Sequence, residues 1–347
     1  MSKTMQAIAY TKYGGPEVTS IVSVPIPSPG PGQIQTRVVA GALNPVDWHQ
    51  RNGAMAQISP YTFPQVAANE FSGIVTALGE GVSNFTVGDR VTCRTDFLKL
   101  GALGEYTVQP ASFYARVPES LSLVDAAGLP LAGLTAEQGL DRLNVKQGDK
   151  LLVTGGAGGV GLFAIQLAKI RGAHVTTTAS QAGSSIVKEA GADEIIDYKN
   201  EKVAEHPTKF DKVFDCAGGE EALINDIIPA VVEGGKITSV AGVMIPGALD
   251  DFNLGWKGPL VNGMLWWKSR AIRNAADARK VTYDYFFMHP DGVQLAKLIG
   301  FMEQGKLSVK IDSKYQMEDY AKAFEKLESG RSKGKIIIEM PHSKEIK

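Results

Sequence analysis

The sequence predicts a two-domain α/β protein in which a doubly wound parallel sheet is inserted into a β-rich domain. Three observations carry that expectation. A chain of 347 residues exceeds the size at which single hydrophobic cores stop growing, about 250–300 residues. Its texture changes near residue 126, from short β-branched runs broken by proline and glycine to strands alternating with helices. It also closes on a strand-like run, GKIIIEM, that needs a sheet to join. The expected boundaries are 1–125 for the β-rich domain, 126–289 for the parallel-sheet domain and 290–347 for the return to the first.

Taken in order, MQAIAY, IVSVPIPSPGPGQIQTRVVAGAL, FSGIVTALG, DRVTCR, GEYTVQP and FYARV are short strands separated by turn signals, the pattern of a small irregular barrel. The stretch PIPSPGPGQ is a rigid turn within it. KLLVTG, HVTTTA, EIIDY, DKVFDCA, KITSVAG and TYDYFFM then alternate with helices such as GVGLFAIQLAKIRG and EALINDIIPAVVEGG, which implies a parallel sheet covered on both faces. The tail holds a helix, PDGVQLAKLIGFMEQGK, the run VKIDSKY, a second helix, MEDYAKAFEKLESG, and the closing strand.

Composition removes several function classes. With 36 basic and 37 acidic residues, the chain carries no electrostatic footprint for nucleic acid or an anionic membrane. No apolar run approaches the roughly 18 residues of a membrane span, and the start, MSKTMQAIAYTKYGG, lacks the apolar core of a secretory signal, so cytoplasm is the expected address. Two cysteines, Cys93 and Cys216, are too few for a disulfide scaffold or a four-cysteine zinc site and are expected as small fillers. The histidines, among them His49, His174, His206 and His289, show no metal-ligand spacing and are assigned to structure. Asp47 and His49 could form a general-base pair only beside a cleft.

Chemistry enters with LLVTGGAGGVGLFAIQLAK. Gly156, Gly158 and Gly161 form G-x-G-x-x-G between a strand ending near Thr154 and a helix starting near Gly159. Such a turn lets the backbone approach a pyrophosphate and points free helix N–H groups at it. A dinucleotide is expected. The acid that would hold the ribose 2′-hydroxyl of NAD is missing from residues 176–181, TTTASQ. Ser180, with Ser184, Ser185, Lys188, Tyr198 and Lys199 nearby, can accept a 2′-phosphate, so NADPH is favoured; the missing acid permits the phosphate without requiring it.

The stretches GALNPVDW, GEGVSNFTVGDRV, DAAGLPLAGLTAEQGL, VTGGAGGVGLFAIQLAK, AGADEIIDY and GRSKGKIII resemble, in order and spacing, the zinc-independent quinone oxidoreductase (zeta-crystallin-like) branch of the medium-chain dehydrogenase/reductase superfamily. EHPTKFDKVFDCAGG and ASQAGSSIVKEAGADEIIDY look most like its enone oxidoreductases. The resemblance implies a GroES-like catalytic domain, a Rossmann domain, and a homodimer formed by edge-strand pairing. Where zinc-dependent relatives keep a cysteine, a His-Glu pair and a second cysteine, this chain has Asn44, Asn69 with Glu70, and the region of Pro130 and Leu131. Amides are poor zinc donors, so no metal is expected. Without a Lewis acid to stabilise an alkoxide, a substrate that spreads its own charge is preferred: the activated C=C bond of an α,β-unsaturated carbonyl, or a quinone.

By the same resemblance Asn44 lies beside the nicotinamide as a catalytic and cofactor-binding residue, and Thr135, Gly156, Gly158, Gly159, Val160, Gly161, Tyr198 and Ala241-Gly242 surround the cofactor, with Ser180 at the 2′ position. Phe287 and Lys333 complete that expected set, although Lys333 reads equally as a solvated lysine. Tyr61 is the candidate proton donor, with packing beside Pro60 and Phe63 as its alternative. Trp48, Phe63, Trp266, Trp267, Phe286 and Phe287 could line an apolar pocket or pack a core. The expected activity is NADPH-dependent enone or alkenal reduction; the alternatives are a quinone reductase and a protein that holds NADPH without turnover.

Overall fold

The computed structural model of the chain describes residues 3–58, 60–252, 254–341 and 343; Met1 and Ser2 of the opening stretch lie outside them. In chain order the first part runs β1 (Thr4–Tyr10), β2 (Thr19–Pro25), β3 (Gln33–Leu43), α1 (Pro45–Arg51), β4 (Gln65–Val66), β5 (Glu70–Leu78), β6 (Arg90–Arg94), β7 (Tyr106–Pro110), β8 (Tyr114–Arg116) and α2 (Leu123–Ala126). There follow α3 (Pro130–Arg142), β9 (Lys150–Thr154), α4 (Gly159–Ile170), β10 (His174–Ala179), α5 (Ser184–Glu189), β11 (Glu194–Asp197), β12 (Phe210–Asp215), α6 (Glu220–Ala222), β13 (Val231–Ser239), α7 (Gly258–Lys268), α8 (Arg270–Ala278) and β14 (Thr282–Tyr285). The last part holds α9 (Gly292–Glu303), β15 (Ile311–Gln316), α10 (Tyr320–Glu328) and β16 (Lys335–Glu339).

The chain divides into two compact units, residues 1–134 with 289–347, and residues 135–288. The first boundary falls after Leu134, inside α3, rather than after residue 125. Side chains of the β-rich unit hold the intervening segment: Ser72 Oγ donates to Leu123 O, Thr92 Oγ1 to Ala126 O, and the Leu131 N–H donates to Glu70 Oε2.

In the β-rich unit, β1 pairs antiparallel with β2 along its length and with β4 at its end. The larger sheet has the order β15-β16-β3-β5-β6-β8, with β7 also on β3. β3 is its hub. Ile34, Thr36 and Val38 alternate inward, and from Val38 to Leu43 every residue is buried, as expected where a strand is covered on both faces. Ile34, Val38, Phe71, Val75, Val91, Phe324, Ile336 and Ile338 share one core. The closing strand β16 runs antiparallel to β3 with Ile336 opposite Leu43, a register that carries Lys335 to the position of Asn44. α9 starts on Asp291, whose carboxylate accepts the N–H groups of Val293 and Gln294, an N-cap that satisfies two of the helix's orphan donors.

The other unit is a six-stranded sheet of order β11-β10-β9-β12-β13-β14, and every pairing in it is parallel. Strand order reverses between β9 and β12, the switch point outside which such sheets bind ligands. Central strand β9 reads LLVT with all four residues buried. The expected helix over EALINDIIPAVVEGG is irregular and stops at Ala230. α6 passes into a π turn at Leu223–Ile227 and a 3-10 turn at Ile228–Ala230, and VVEGG already belongs to β13. Pro229 explains the stop, since it has no N–H and its ring obstructs the preceding turn. β14 likewise ends at Tyr285, short of the whole TYDYFFM run.

Candidate active site

In the parallel-sheet unit the candidate site gathers at the C-terminal ends of β9, β10, β12 and β13. Thr154 ends β9, and Gly155 takes the left-handed conformation, φ +64°, which favours glycine. That residue was not among those expected; the glycines singled out from sequence serve close approach. A Cβ on Gly156 would lie 2.0 Å from Thr177 Oγ1, and one on Gly161 would lie 2.4 Å from Gly155 O. Gly158 caps α4 without any side-chain bond, so the N–H groups of Gly159, Val160 and Gly161 open the helix unclaimed by a cap. The cradle fits a pyrophosphate: Gly156 and Gly161 let the strand, turn and helix pack closely, and the helix N–H groups stay open to it.

Asp215, which sequence reading passed over, ties this edge together. Its Oδ1 accepts Thr154 Oγ1 at 2.6 Å and its Oδ2 accepts Ser239 Oγ at 2.6 Å, so one buried carboxylate joins the ends of β9, β12 and β13. The N–H groups of Ala217 and Gly218 point at it too, and the Gly242 N–H donates to Ser239 Oγ at 2.7 Å, which positions Ala241-Gly242. The available signal was an acid at the end of a buried strand, in KVFDCAGG. Ser180 follows β10 directly, and Ala179 pairs with Asp197, so Tyr198 follows the neighbouring strand end. Tyr198 is 59% exposed; Lys188 and Lys199 are exposed as well. Thr135 is buried. Phe287 packs edge-on against Phe252 and Tyr285, and with Arg142, Pro246 and Asp251 it lines a cavity of about 190 Å³.

In the β-rich unit a second group converges on the start of α1. The Asp47 carboxylate accepts the Asn44 N–H at 2.7 Å and Asn69 Nδ2 at 2.5 Å. Burial raises Asp47 from its ordinary 3.8 to about 6 in spite of those bonds. It shapes a turn rather than serving as the base of a pair with His49, whose ring stacks on Trp48. Asn44 Nδ2 donates to Glu70 Oε1 at 2.7 Å, and Lys335 Nζ donates to Asn44 Oδ1 at 2.5 Å, Glu70 Oε1 at 2.7 Å and Leu43 O at 3.2 Å. Lys335 is only 3% exposed and Glu70 is fully buried. Lys333, expected near the cofactor phosphate, donates its main-chain N–H to Asp312. Lys335, two residues on, is the lysine that β16 lays against Asn44.

This donor set does not suit zinc. The amides of Asn44 and Asn69 are weak ligands, Leu131 offers only its main-chain N–H to the group, and an ammonium already bonds Asn44 and Glu70. Among the described residues no three His, Cys, Asp or Glu side chains gather to hold a metal. Tyr61 packs with Tyr13 and Phe63. Its hydroxyl is buried with no hydrogen-bond partner among the described residues, and burial pushes its pKa up.

The remaining expected residues separate. Trp48 and Phe63 pack against the β-rich core, and Phe286 is buried under the Arg142 guanidinium. Trp266 and Trp267 stand 58% and 62% exposed on α7. His174 and His206 both meet the Glu194 carboxylate. Cys93 is buried and Cys216 half-buried, and burial raises both thiol pKa values, which favours the thiol over the thiolate.

Comparison with known proteins supplies the family. Residues 30–119 match the alcohol dehydrogenase GroES-like domain and residues 190–338 a zinc-binding dehydrogenase domain. A chloroplast envelope quinone oxidoreductase homolog of Arabidopsis thaliana is 32% identical, over 97% of this chain and 99% of its own. The chain belongs to the quinone and enone oxidoreductase branch of the medium-chain dehydrogenase/reductase superfamily. An NADPH-dependent alkenal/one oxidoreductase of the same plant is also 32% identical, over 97% of this chain and 80% of its own. The quinone oxidoreductase of Coxiella burnetii superposes with a TM-score of 0.84 at 31% identity, over 97% and 99% of the two chains. As a medium-chain dehydrogenase/reductase the protein is an NAD(P)H-dependent oxidoreductase with the GroES-like and Rossmann architecture of that superfamily. Among the described residues no helix is long and apolar enough to cross a membrane.

Proposed function

We propose that this oxidoreductase is an NADPH-dependent, zinc-independent reductase of the activated C=C bond of α,β-unsaturated ketones and aldehydes. The observation that carries the reading is the group around Asn44, where amides and a buried ammonium stand in place of metal ligands. Such a site offers hydrogen-bond donors but no Lewis acid, which suits a substrate whose developing charge is delocalised. When bound, NADPH would supply the hydride for the substrate's β-carbon, and with a proton at the α-carbon the product would be the saturated carbonyl.

The chain's own residues hold and orient. The turn at Gly156, Gly158, Gly159, Val160 and Gly161 would hold the pyrophosphate, and Ser180 with Lys188 the 2′-phosphate. Tyr198, Thr135, Ala241, Gly242 and Phe287 would border the rest of the cofactor and Lys333 its phosphate. Asn44 donates to the substrate oxygen or the nicotinamide carboxamide. Tyr61 delivers the proton: a phenol kept neutral by burial, with its hydroxyl unclaimed. A homodimer would form through an edge strand of the parallel sheet, whose edges are β11 and β14.

Quinone reduction is the second reading, supported by relatives named as quinone oxidoreductases. The test is to follow NADPH oxidation with a small enone, a 2-alkenal and a para-quinone, each with metal chelator present, and to identify products. Chelator-resistant formation of the saturated carbonyl is the expected result. Oxidation with quinone alone would select the second reading. NADPH binding with no acceptor consumed would overturn both.

A further inference from the structure

We infer that Lys335 is a positioning residue for Asn44: its buried ammonium, held by Glu70, fixes which end of the Asn44 carboxamide the site presents. This rests on the reductase reading above for its catalytic consequence, though not for its geometry. An ammonium has three N–H donors, and Lys335 has three acceptors, Leu43 O, Asn44 Oδ1 and Glu70 Oε1. None is left for a substrate, so Lys335 acts through another group. That group is Asn44. Its oxygen faces a donor and one Nδ2–H faces an acceptor, so a 180° flip of the amide would set oxygen against carboxylate and nitrogen against ammonium. Only one of the two flips is tolerated.

The lock has a chemical output. Asn44 Nδ2 makes one hydrogen bond among the described residues, to Glu70, and an amide nitrogen carries two donors. Its second N–H is therefore unspent, and the lock guarantees that an N–H rather than a carbonyl oxygen stands at that position. A donor suits a developing enolate oxygen; an acceptor repels it. The ammonium on the amide oxygen also polarises the group toward better N–H donation. Lys335 thus supplies, through one intervening amide, positive character at a place where a metal would supply it directly. Glu70 completes the device: it neutralises Lys335 and, through Oε2, accepts the Leu131 N–H, so the pair is fully bonded inside the core.

A bland alternative is that Lys335 merely pins β16 to β3. Variants separate the two. Lys335→Met alone leaves Glu70 buried without a partner and endangers folding, so the informative protein is the double variant K335M/E70Q, which removes both charges together; Lys335→Arg keeps the cation. Enone turnover, NADPH affinity by fluorescence, and the side-chain ¹H–¹⁵N resonances of Asn44, assigned by their loss in Asn44→Asp, are compared. K335M/E70Q is expected to fold and bind NADPH as the parent does, to lose kcat by roughly a hundredfold, and to show shifted, averaged Asn44 resonances. Lys335→Arg is expected to restore the Asn44 resonances and part of kcat. A folded K335M/E70Q with parental kcat and unmoved Asn44 resonances would overturn the inference. If the parent protein turns over no acceptor, the reductase reading falls, and the Asn44 resonances alone decide whether Lys335 orients the amide.

Discussion

In the parallel-sheet unit the candidate site is made of main chain: a left-handed Gly155, glycines packed where no Cβ fits, and helix N–H groups at Gly159 to Gly161. In the β-rich unit it is made of side chains drawn from residues 44, 70 and 335, and its charge is balanced internally. The first kind of site is least tolerant at Gly155, Gly156 and Gly161, where the backbone conformation or the packing excludes a Cβ. The second depends on its partners, because the buried Lys335 ammonium and Glu70 carboxylate are satisfied by each other and by Asn44.

Breaking the side-chain site should therefore cost most. Glu70→Ala leaves the Lys335 ammonium buried without its carboxylate, and urea unfolding should show a loss of about 3–5 kcal/mol; a loss below about 1 kcal/mol would place water or another anion at Lys335. Asp215→Ala is the matching test in the other unit. Removing the carboxylate that accepts both Thr154 and Ser239 should cost about 3 kcal/mol and weaken NADPH binding, as calorimetry would show; unchanged binding would separate the strand ends from the cofactor site.

Acidity distinguishes the two regions further. Asp47, raised from 3.8 to about 6, is favoured as the protonated acid in the folded state. Its contribution to stability is complete below about pH 4 and is lost as pH rises through 6, by about 3 kcal/mol for a shift of about two units. Denaturation series should show the parent losing about 3 kcal/mol more than Asp47→Asn as pH rises from 4 through 6; parallel curves would contradict the assignment. The smallest effect expected is on cofactor choice. Ser180→Asp should reduce NADPH binding relative to NADH by roughly tenfold, read by competitive titration, and no change would put the 2′-phosphate elsewhere.

Much of the parallel-sheet unit was legible because its signals are local. Each strand is a buried run between turn residues, and G-x-G-x-x-G lies within six positions of one turn. The failure at EALINDIIPAVVEGG was local too: the apolar spacing suits a helix, and Pro229 was the overlooked stop. Asp215 was less visible, since an acid at a strand end usually faces water. Lys335 was invisible for a different reason. It reads as a charged residue opening an edge strand, and its meaning depends on Ile336 pairing with Leu43, a register that nothing near it in sequence specifies.

That register also constrains how the molecule is made. Lys335 meets Glu70 across 265 residues and Asn44 across 291, and the whole of the parallel-sheet unit is synthesised in between. Until β16 arrives, Glu70 has no cation to accompany it into a dry core, so the β-rich barrel cannot seal early. Sealing becomes a late, long-range event of the slow kind. The ammonium inferred to orient the amide is thus also the last partner to reach Glu70, and the buried carboxylate waits for it longest.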